Sequence, residues 1–380
     1  MRLFSLTVLL ILLFSNSVFS QVKTGAENTE QYFPLLKDKR LAIVANRTSV
    51  VGRSHLIDTL SKMGFDIKII FAPEHGFRGN IGAGDHVADT IDQITGLKIV
   101  SLYGKRYIPR DTDIQNVDVV IFDIQDVGVR CYTYLSTLHY IMDASAKFNK
   151  QLIVLDRPNP NGFYIAGPVL DLKYKSFVGL HPVPLVYGMT IGEYALMING
   201  ERWLNDSAQC RLIVVPCVNY QHSVRYHLPI APSPNLKTMG AVYHYPSLVL
   251  FEGTVVNVGR GTDFPFEVYG HPCYNEGNIQ YTPQNTLGAI NPPHVNLLCN
   301  GKDLRGDTSQ FTLKYIIDAY HNISCEKVFF NSFFRNLIGT NLLQQQIINK
   351  LDEIEIFQTW EKDLDTFKLK RKKYLIYKDF

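Results

Sequence analysis

Glu74 has the sequence setting of a general acid. It stands in the run Phe71-Ala-Pro-Glu-His-Gly-Phe-Arg-Gly79, directly after an apolar segment and a proline. A carboxyl group in such a place is expected to be partly desolvated, and desolvation favours the protonated form that a general acid needs near neutral pH. The competing interpretation is a loop glutamate that pairs with Arg78 or Arg47.

Hydrolysis of a glycosidic bond usually needs a second carboxyl group, which acts as base, nucleophile or charge stabiliser opposite the acid. The sequence offers Asp126 and Glu252 for that role, and their spacing does not choose between them. The candidate catalytic residues are therefore Glu74, Asp126 and Glu252.

A metal-assisted amidase or esterase is the competing enzyme class. Its ligands would be His75, Asp85, His86 and Asp123. The chain has no His-x-His or His-Glu-x-x-His pattern, so we expect no metal.

The chain also has no Walker A loop and no Gly-x-Ser-x-Gly elbow, and the glycines of residues 79–84 have the wrong spacing for a dinucleotide loop. We expect no cofactor.

The elements that must position these residues follow an α/β pattern. Apolar strand-like segments alternate with segments of helical pattern from Arg40 onward, which predicts a Rossmann-like, mostly parallel sheet flanked by helices. The predicted strands cover residues 41–45, 67–71, 99–102, 117–122, 152–155 and 212–215. The predicted helices cover residues 55–63, 132–148 and 190–203. Thr190 and Glu193 have the spacing of a capping box at the start of the last helix.

Four predicted strands end in polar residues that could form one binding rim. Ligands of open α/β sheets bind beyond the carboxyl ends of the strands, where loops converge. A purely structural sheet could end in turn residues, but it has less use for Glu, Gln, His and Arg there. The candidate binding residues at these ends are His75, Arg78, Asp123, Gln125, Arg130, Asp156, Arg157 and Asn159.

The pattern changes near Leu236, where we place a domain boundary. A catalytic domain would cover residues 21–235, and an α+β auxiliary domain would cover residues 236–380 and close the cleft. Helices are predicted at residues 311–321 and 337–351. The basic C-terminal segment could form an edge strand, but its charge favours a solvent-exposed face.

Residues 251–267 are the densest polar segment of the second domain. They predict a short apolar strand that closes over the rim, and their Gly-Arg-Gly turn would let backbone approach a ligand. The alternative is a charged hairpin in which Arg260 pairs with Asp263. The candidate binding residues of this segment are Arg260, Asp263 and Glu267, beside the candidate catalytic Glu252.

Residues 1–20 have the pattern of a secretory signal peptide, with Arg2, a short apolar run and small residues up to Ser20. We therefore expect a periplasmic or extracellular protein without stable membrane insertion after cleavage.

Secretion permits disulfides, and Cys210 and Cys217 could face each other across a short loop. A formal net charge of +3 gives no reason to expect nucleic acid as a partner.

Several long blocks resemble the exo-β-N-acetylmuramidases of the NamZ type, a family long known only as a conserved domain of unknown function. The blocks run in order from the second strand into the C-terminal domain. They are the run at residues 71–79, Ile121-Phe-Asp-Ile-Gln-Asp-Val-Gly-Val-Arg-Cys-Tyr-Thr-Tyr134, Leu155-Asp-Arg-Pro-Asn-Pro-Asn-Gly162, Tyr187-Gly-Met-Thr-Ile-Gly-Glu193, Pro232-Ser-Pro-Asn-Leu236, Phe251-Glu-Gly-Thr254 and Val258-Gly-Arg-Gly-Thr-Asp-Phe-Pro-Phe-Glu267.

The resemblance implies a substrate, a fold and a catalytic residue. The substrate would be a peptidoglycan fragment such as the disaccharide of N-acetylmuramic acid (MurNAc) and N-acetylglucosamine (GlcNAc), from which terminal MurNAc is released. The fold would be a Rossmann-like domain joined to an auxiliary domain with the site between them. The catalytic glutamate of the family maps to Glu74.

MurNAc differs from GlcNAc by a lactyl carboxylate, so a selective site is expected to carry an arginine that binds it. The candidates, in falling order of preference, are Arg157, Arg130, Arg260 and Arg78. Tyr132, Tyr134 and Phe77 could stack on sugar faces or belong to the core. A two-lobed periplasmic protein that binds muropeptides without cleaving them is the non-enzymatic alternative.

Overall fold

The computed structural model of the chain describes residues 21–78 and 89–380. The predicted signal peptide and two candidate metal ligands, Asp85 and His86, lie outside these ranges. No helix within them is long and apolar enough for a bilayer crossing.

A seven-stranded sheet forms the centre of the N-terminal region. Its strands are β1 (Arg40–Ala45), β2 (Asp66–Ala72), β3 (Thr90–Ile91), β4 (Lys98–Ser101), β5 (Val119–Asp123), β6 (Gln151–Leu155) and β7 (Arg211–Val215). The spatial order is β3-β4-β2-β1-β5-β6-β7, and all neighbours are parallel except β3 and β4. Without the β3 edge this is the Rossmann order. The predicted fold class and all six predicted strands are confirmed.

Successive side chains along each strand point to opposite faces of the sheet, and both faces are buried. On one face Val44, Phe71 and Phe122 pack in one core cluster. On the other face Ile43 and Ile70 belong to a second cluster. This two-sided burial explains why the strands read as continuously apolar.

Helices cover both faces of the sheet. They are α1 (Thr29–Leu36), α2 (Leu56–Lys62), α3 (Asp111–Ile114), α4 (Tyr134–Lys147) and α5 (Ile191–Gly200). The three predicted helices of this region are confirmed as α2, α4 and α5. Thr190 and Glu193 form the predicted capping box at the start of α5.

The C-terminal region combines a small antiparallel sheet with short helices. Its strands β8 (Val268–His271), β9 (Ile279–Tyr281) and β10 (Cys299–Asp303) have the order β8-β10-β9. Its helices are α6 (Met239–Leu248), α7 (Lys314–Asn322), α8 (Phe334–Ile338), α9 (Leu342–Ile348), α10 (Glu353–Gln358) and α11 (Glu361–Arg371).

Two predicted elements of this region are wrong in detail. The helix predicted at residues 337–351 is divided between α8 and α9, because Gly339 ends α8 with a left-handed φ of 80°. The strand predicted within residues 251–267 is absent. Instead, a 3-10 helix (Val249–Gly253) is followed by turns.

The predicted pairing of Cys210 with Cys217 is wrong, since both thiols are free and buried. They flank the extended strand β7, which separates them by far more than the roughly 7 Å that a disulfide tolerates between Cα atoms. The observed disulfide joins Cys273 and Cys325 in the C-terminal region.

The C-terminal tail is neither an edge strand nor a purely solvated face. Arg371, at the end of α11, is only 2% exposed and donates to the carbonyl oxygen of Gly188. The Tyr377 hydroxyl donates to the buried Asp156 over 2.5 Å. The tail therefore packs back onto the N-terminal region.

Candidate active site

A cleft of about 420 Å³ lies between the carboxyl ends of β2 and β4 and the C-terminal region. Glu74 and Tyr103 belong to its N-terminal wall, and Glu252 and Arg260 belong to its C-terminal wall. The other polar side chains that line it are His75, Tyr132, Thr133, Ser233, Asn235, Tyr245 and Asn291. The cleft thus brings two carboxyl groups and one guanidinium together.

Glu74 follows the end of β2 by two residues and is partly buried. The chain turns sharply after it, because His75 and Gly76 both have positive φ values, 68° and 75°. The left-handed conformation is unusual for a residue with a Cβ, so this turn is a constrained one. Glu74 and His75, at this turn, both line the cleft.

Two hydroxyl groups hold the Glu74 carboxyl group. Thr133 Oγ1, directly before α4, donates to Glu74 Oε2 over 2.6 Å. Tyr103, which follows β4, is also hydrogen-bonded to Glu74. Burial and then the negative charge of Glu74 raise the pKa of Tyr103, so its hydroxyl keeps its proton. The carboxyl group is therefore oriented by elements on both sides of β2.

Glu252 and Arg260 form an ion pair on the C-terminal wall of the cleft. Arg260 Nη2 lies 2.5 Å from Glu252 Oε1, and the guanidinium carbon lies 5.1 Å from the ring centroid of Phe266. Burial disfavours the charged guanidinium, but the attraction of Glu252 outweighs it and raises the pKa of Arg260. Arg260 is therefore a permanent cation in the cleft, and the predicted alternative of an Arg260–Asp263 pair is wrong.

Glu74 and Glu252 are close enough to act on the same neighbours. Burial is the largest cause of the raised pKa of Tyr103 and of Tyr245, and both glutamates add to it at each tyrosine. Both glutamates also favour the charged form of Arg260. The two carboxyl groups thus share one electrostatic environment.

Asp126, the other candidate for the second carboxyl group, does not line the cleft. It is buried, and its Oδ2 accepts hydrogen bonds from the Gly128 amide, over 2.6 Å, and from the Tyr187 hydroxyl. Burial raises the pKa of Asp126 to about 7. Of the two candidates, Glu252 is the one that lines the cleft together with Glu74.

Three of the four candidate arginines do not line the cleft, and their guanidinium groups are bonded to other groups of the protein. Arg157 makes a two-pronged pair with Asp123, with nitrogen–oxygen distances of 2.6 and 2.9 Å and both side chains buried. Arg130 is buried and donates to backbone carbonyl oxygens, those of Leu337 and Ile338 among them.

Arg78 makes a two-pronged pair with Asp92, with both nitrogen–oxygen distances 3.0 Å. Among the four candidates, Arg260 alone lines the cleft. The predicted order of preference, which placed Arg157 first, is therefore corrected by the geometry.

Of the remaining predicted binding residues, His75 lines the cleft and the others lie outside its lining. Asp156 accepts hydrogen bonds from Thr190 and Tyr377, and the Gln125 and Asn159 side-chain amides donate to backbone carbonyl oxygens. In the C-terminal region, Asp263 is exposed and Glu267 lies beside Gly240.

The rule that ligands bind beyond the carboxyl ends of the strands, here called the strand-end rule, therefore identified a polar rim. Most of its side chains are already hydrogen-bonded or ion-paired to other parts of the protein. The topological switch point lies between β1 and β5, and the Asp123–Arg157 pair occupies the end of β5 there. The cleft is displaced toward β2 and β4. Tyr134 and Phe77 are core residues at 1% and 5% exposure, whereas Tyr132 lines the cleft.

Sequence reasoning missed Tyr103, Thr133, Ser233 and Asn235. The strand-end rule would have found Tyr103 if it had been applied to the third predicted strand, at residues 99–102. Thr133, Ser233 and Asn235 stand inside the blocks that resemble the family, but nothing in their residue types marks them as functional.

The metal alternative has little geometric support within the described ranges. Asp123, one of its proposed ligands, is engaged by Arg157. Among residues 21–78 and 89–380, three side chains come close enough to share an ion, His271, Cys273 and Cys325, and the two cysteines are joined in the disulfide.

Comparison with known proteins is consistent with this arrangement. Family models described as exo-beta-N-acetylmuramidase NamZ, N-terminal and C-terminal, match residues 41–240 and 243–377. The peptidoglycan beta-N-acetylmuramidase NamZ of Bacillus subtilis (strain 168) is 38% identical over 94% of this chain and 92% of its own length.

Two crystal structures of DUF1343 family proteins from Bacteroides fragilis NCTC 9343 have the same fold. One has a TM-score of 0.89 and 48% identity and covers 95% of this chain and 100% of its own. The other has a TM-score of 0.81 and 28% identity and covers 94% of this chain and 99% of its own.

Proposed function

Because this chain belongs to the exo-beta-N-acetylmuramidase NamZ family, we propose that it is a glycosidase that releases MurNAc from the non-reducing end of peptidoglycan fragments such as MurNAc-GlcNAc. The observation that carries the proposal is the shared cleft of Glu74, Glu252 and Arg260. It combines the two carboxyl groups that glycoside hydrolysis needs with a cation suited to an acidic sugar.

Glu74 is the proton donor in this proposal. It is partly buried, and its carboxyl group is held by the hydroxyls of Thr133 and Tyr103. A hydroxyl group can donate to a carboxylate or accept from a carboxylic acid, so Thr133 can hold Glu74 before and after the proton is transferred. The proton goes to the glycosidic oxygen as the bond to the sugar breaks.

Glu252 is the second carboxyl group. Its ion pair with Arg260 orients it, and it lines the same cleft as Glu74, so a sugar bound in the cleft would lie between residues of the two walls. There it can stabilise the positive charge that develops on the sugar ring, or act as base or nucleophile.

Arg260 is the proposed receptor for the lactyl carboxylate of MurNAc. A guanidinium has five N–H donors, so its bond to Glu252 through Nη2 leaves donors for a second carboxylate. Arg260 also rests on Phe266, which limits the number of conformations that binding must freeze. This cation would distinguish MurNAc from neutral GlcNAc.

We also propose that the protein is exported. Residues 1–20 have the pattern of a signal peptide, and the Cys273–Cys325 disulfide suits an oxidising compartment. Cell fractionation tests this: mature protein that begins at Gln21 in the periplasm or medium would support export, and uncleaved protein in the cytoplasm would contradict it.

Incubation of the purified protein with MurNAc-GlcNAc, followed by mass spectrometry, tests the activity. We expect free MurNAc and a loss on the order of 10²–10⁴ in rate in Glu74→Gln, the usual cost of removing a general acid. Glu27→Gln, which alters a glutamate outside the cleft lining, in a short 3-10 helix at Gly25–Glu27, is the matched control. A protein that bound the disaccharide without releasing MurNAc would instead be a binding protein.

A further inference from the structure

Three aromatic side chains extend the cleft wall on the Glu74 side. Tyr103 lines the cleft itself, and Tyr107 and Phe177 continue from it. The Phe177 ring centroid lies 4.0 Å from that of Tyr107 and 5.9 Å from that of Tyr103. All three side chains are partly exposed, and Val178, next to Phe177 in the chain, also lines the cleft. We call Tyr103, Tyr107 and Phe177 the aromatic ledge.

The aromatic ledge is anchored to α4. Ser136 Oγ donates to the carbonyl oxygen of Phe177 over 2.6 Å, and Tyr140 stacks parallel to the Phe177 ring with centroids 6.3 Å apart. Thr133, which holds Glu74, directly precedes the same helix. The ledge and the proposed acid are therefore positioned by one rigid element. Partly exposed aromatic rings held in this way form an apolar surface beside the site.

The position of the proposed acid indicates which sugar would contact this surface. A general acid must reach the glycosidic oxygen, so the leaving sugar lies on the side of the acid. The Tyr103 hydroxyl is hydrogen-bonded to Glu74, which places the ledge on that side. Arg260, the proposed receptor for the MurNAc carboxylate, belongs to the other wall.

We propose that the aromatic ledge is the subsite for the leaving sugar, and this rests on the proposed function. The sugar that fits is a neutral β-linked pyranose such as GlcNAc, whose C–H groups form apolar faces that can pack on aromatic rings. Phe177 and Tyr107 are specificity-determining residues in this proposal, because their rings would contact the leaving sugar.

The test compares two substrates that differ only in the leaving group, MurNAc-GlcNAc and the methyl β-glycoside of MurNAc. Both need the same acid, but methanol has no ring to place on the ledge. The quantity measured is the ratio of kcat/KM for the disaccharide to kcat/KM for the methyl glycoside. We expect this ratio to fall about tenfold in Phe177→Ala and in Tyr107→Ala, mainly through KM for the disaccharide, because binding to the ledge is lost.

Two further variants separate the subsite from a structural effect. Phe177→Trp keeps an aromatic surface and is expected to retain the ratio. Phe163→Ala removes a partly buried ring that lies outside the cleft, under Arg225, and is expected to leave the ratio unchanged. Thermal unfolding of each variant shows whether it folds, and Tyr107→Ala carries the test if Phe177→Ala does not.

An unchanged ratio in both alanine variants would overturn the subsite while leaving the proposed function intact. Failure of the unaltered protein to release MurNAc from either substrate would overturn the proposed function and the subsite with it.

Discussion

Arg260 donates to Glu252 over 2.5 Å in a cleft that Glu74 also lines. The pair joins the 3-10 helix (Val249–Gly253) to the turn that follows it, eight residues further along the chain. A local contact in the C-terminal region thus presents both a carboxylate and a cation to an acid supplied by the N-terminal sheet.

Glu252→Gln is expected to lower kcat for MurNAc-GlcNAc by about 10²–10⁴, because the site loses its second carboxyl group. Steady-state kinetics on the disaccharide measure this. Asp263→Asn is the control, since Asp263 is exposed and lies outside the cleft lining in the same segment. Equal activity in both variants would remove Glu252 from the mechanism.

Arg260→Met is expected to raise KM for MurNAc substrates by about tenfold or more and to weaken discrimination against GlcNAc analogues, because the lactyl carboxylate loses its charged partner. Arg260→Lys should recover part of the discrimination but not the forked geometry. Arg78→Met, which breaks a pair with Asp92 outside the cleft, should leave discrimination unaltered. The idea fails if Arg260→Met discriminates as well as the parent protein.

Thr133→Val is expected to lower kcat about tenfold with little change in KM, because Glu74 loses one of the hydroxyls that orient it. Thr133→Ser keeps the hydroxyl and should restore most of the rate. Thr137→Val, a buried threonine one turn further along α4, controls for damage to the helix. A defect of equal size in the serine variant would point to packing rather than to the hydrogen bond.

Arg157→Met is expected to lower the free energy of unfolding by about 3–5 kcal/mol, because it leaves the Asp123 carboxylate buried without its partner. Urea unfolding measures this. The control is Arg40→Met, which breaks a pair with Asp118 whose side chains are 45% and 35% exposed. Such surface pairs contribute about 1 kcal/mol or less. Equal losses in the two variants would contradict the prediction.

Asp126→Asn is expected to become relatively more stable as pH rises. Burial raises the pKa of Asp126 to about 7 in the folded chain, so between its unfolded value near 3.8 and 7 the folded state holds a proton that the unfolded state has lost. Folding of the parent protein therefore weakens as pH rises through this window. The asparagine removes that penalty, and its oxygen can still accept from Gly128 and Tyr187.

Urea unfolding at about pH 5 and about pH 8 measures the Asp126 effect. The stability difference between Asp126→Asn and the parent should increase by about 2–3 kcal/mol over that interval. Asp118→Asn is the control, because Arg40 lowers the pKa of Asp118 and its contribution is already complete at pH 5. A difference that did not depend on pH would show that Asp126 stays ionised in the folded chain.

The sequence by itself determined six of the seven strands of the sheet, three of its covering helices and the position of Glu74 after β2. Apolar periodicity reports which faces of a segment are buried, and that is a local property of the chain. The capping box of Thr190 and Glu193 also depends only on neighbouring residues. The same holds for Glu74, which stands two residues beyond the end of β2. Specific long blocks were also enough to identify the family.

Only the tertiary structure decided which polar groups remain for a substrate. Asp123 and Arg157 are equally attractive as site residues until the fold joins them, 34 positions apart, in a buried pair. Glu252 and Asp126 were equivalent in sequence, but one faces the cleft and the other is enclosed by Gly128 and Tyr187. Charge pairing and burial depend on contacts between distant segments, and no local pattern of residue types encodes those contacts.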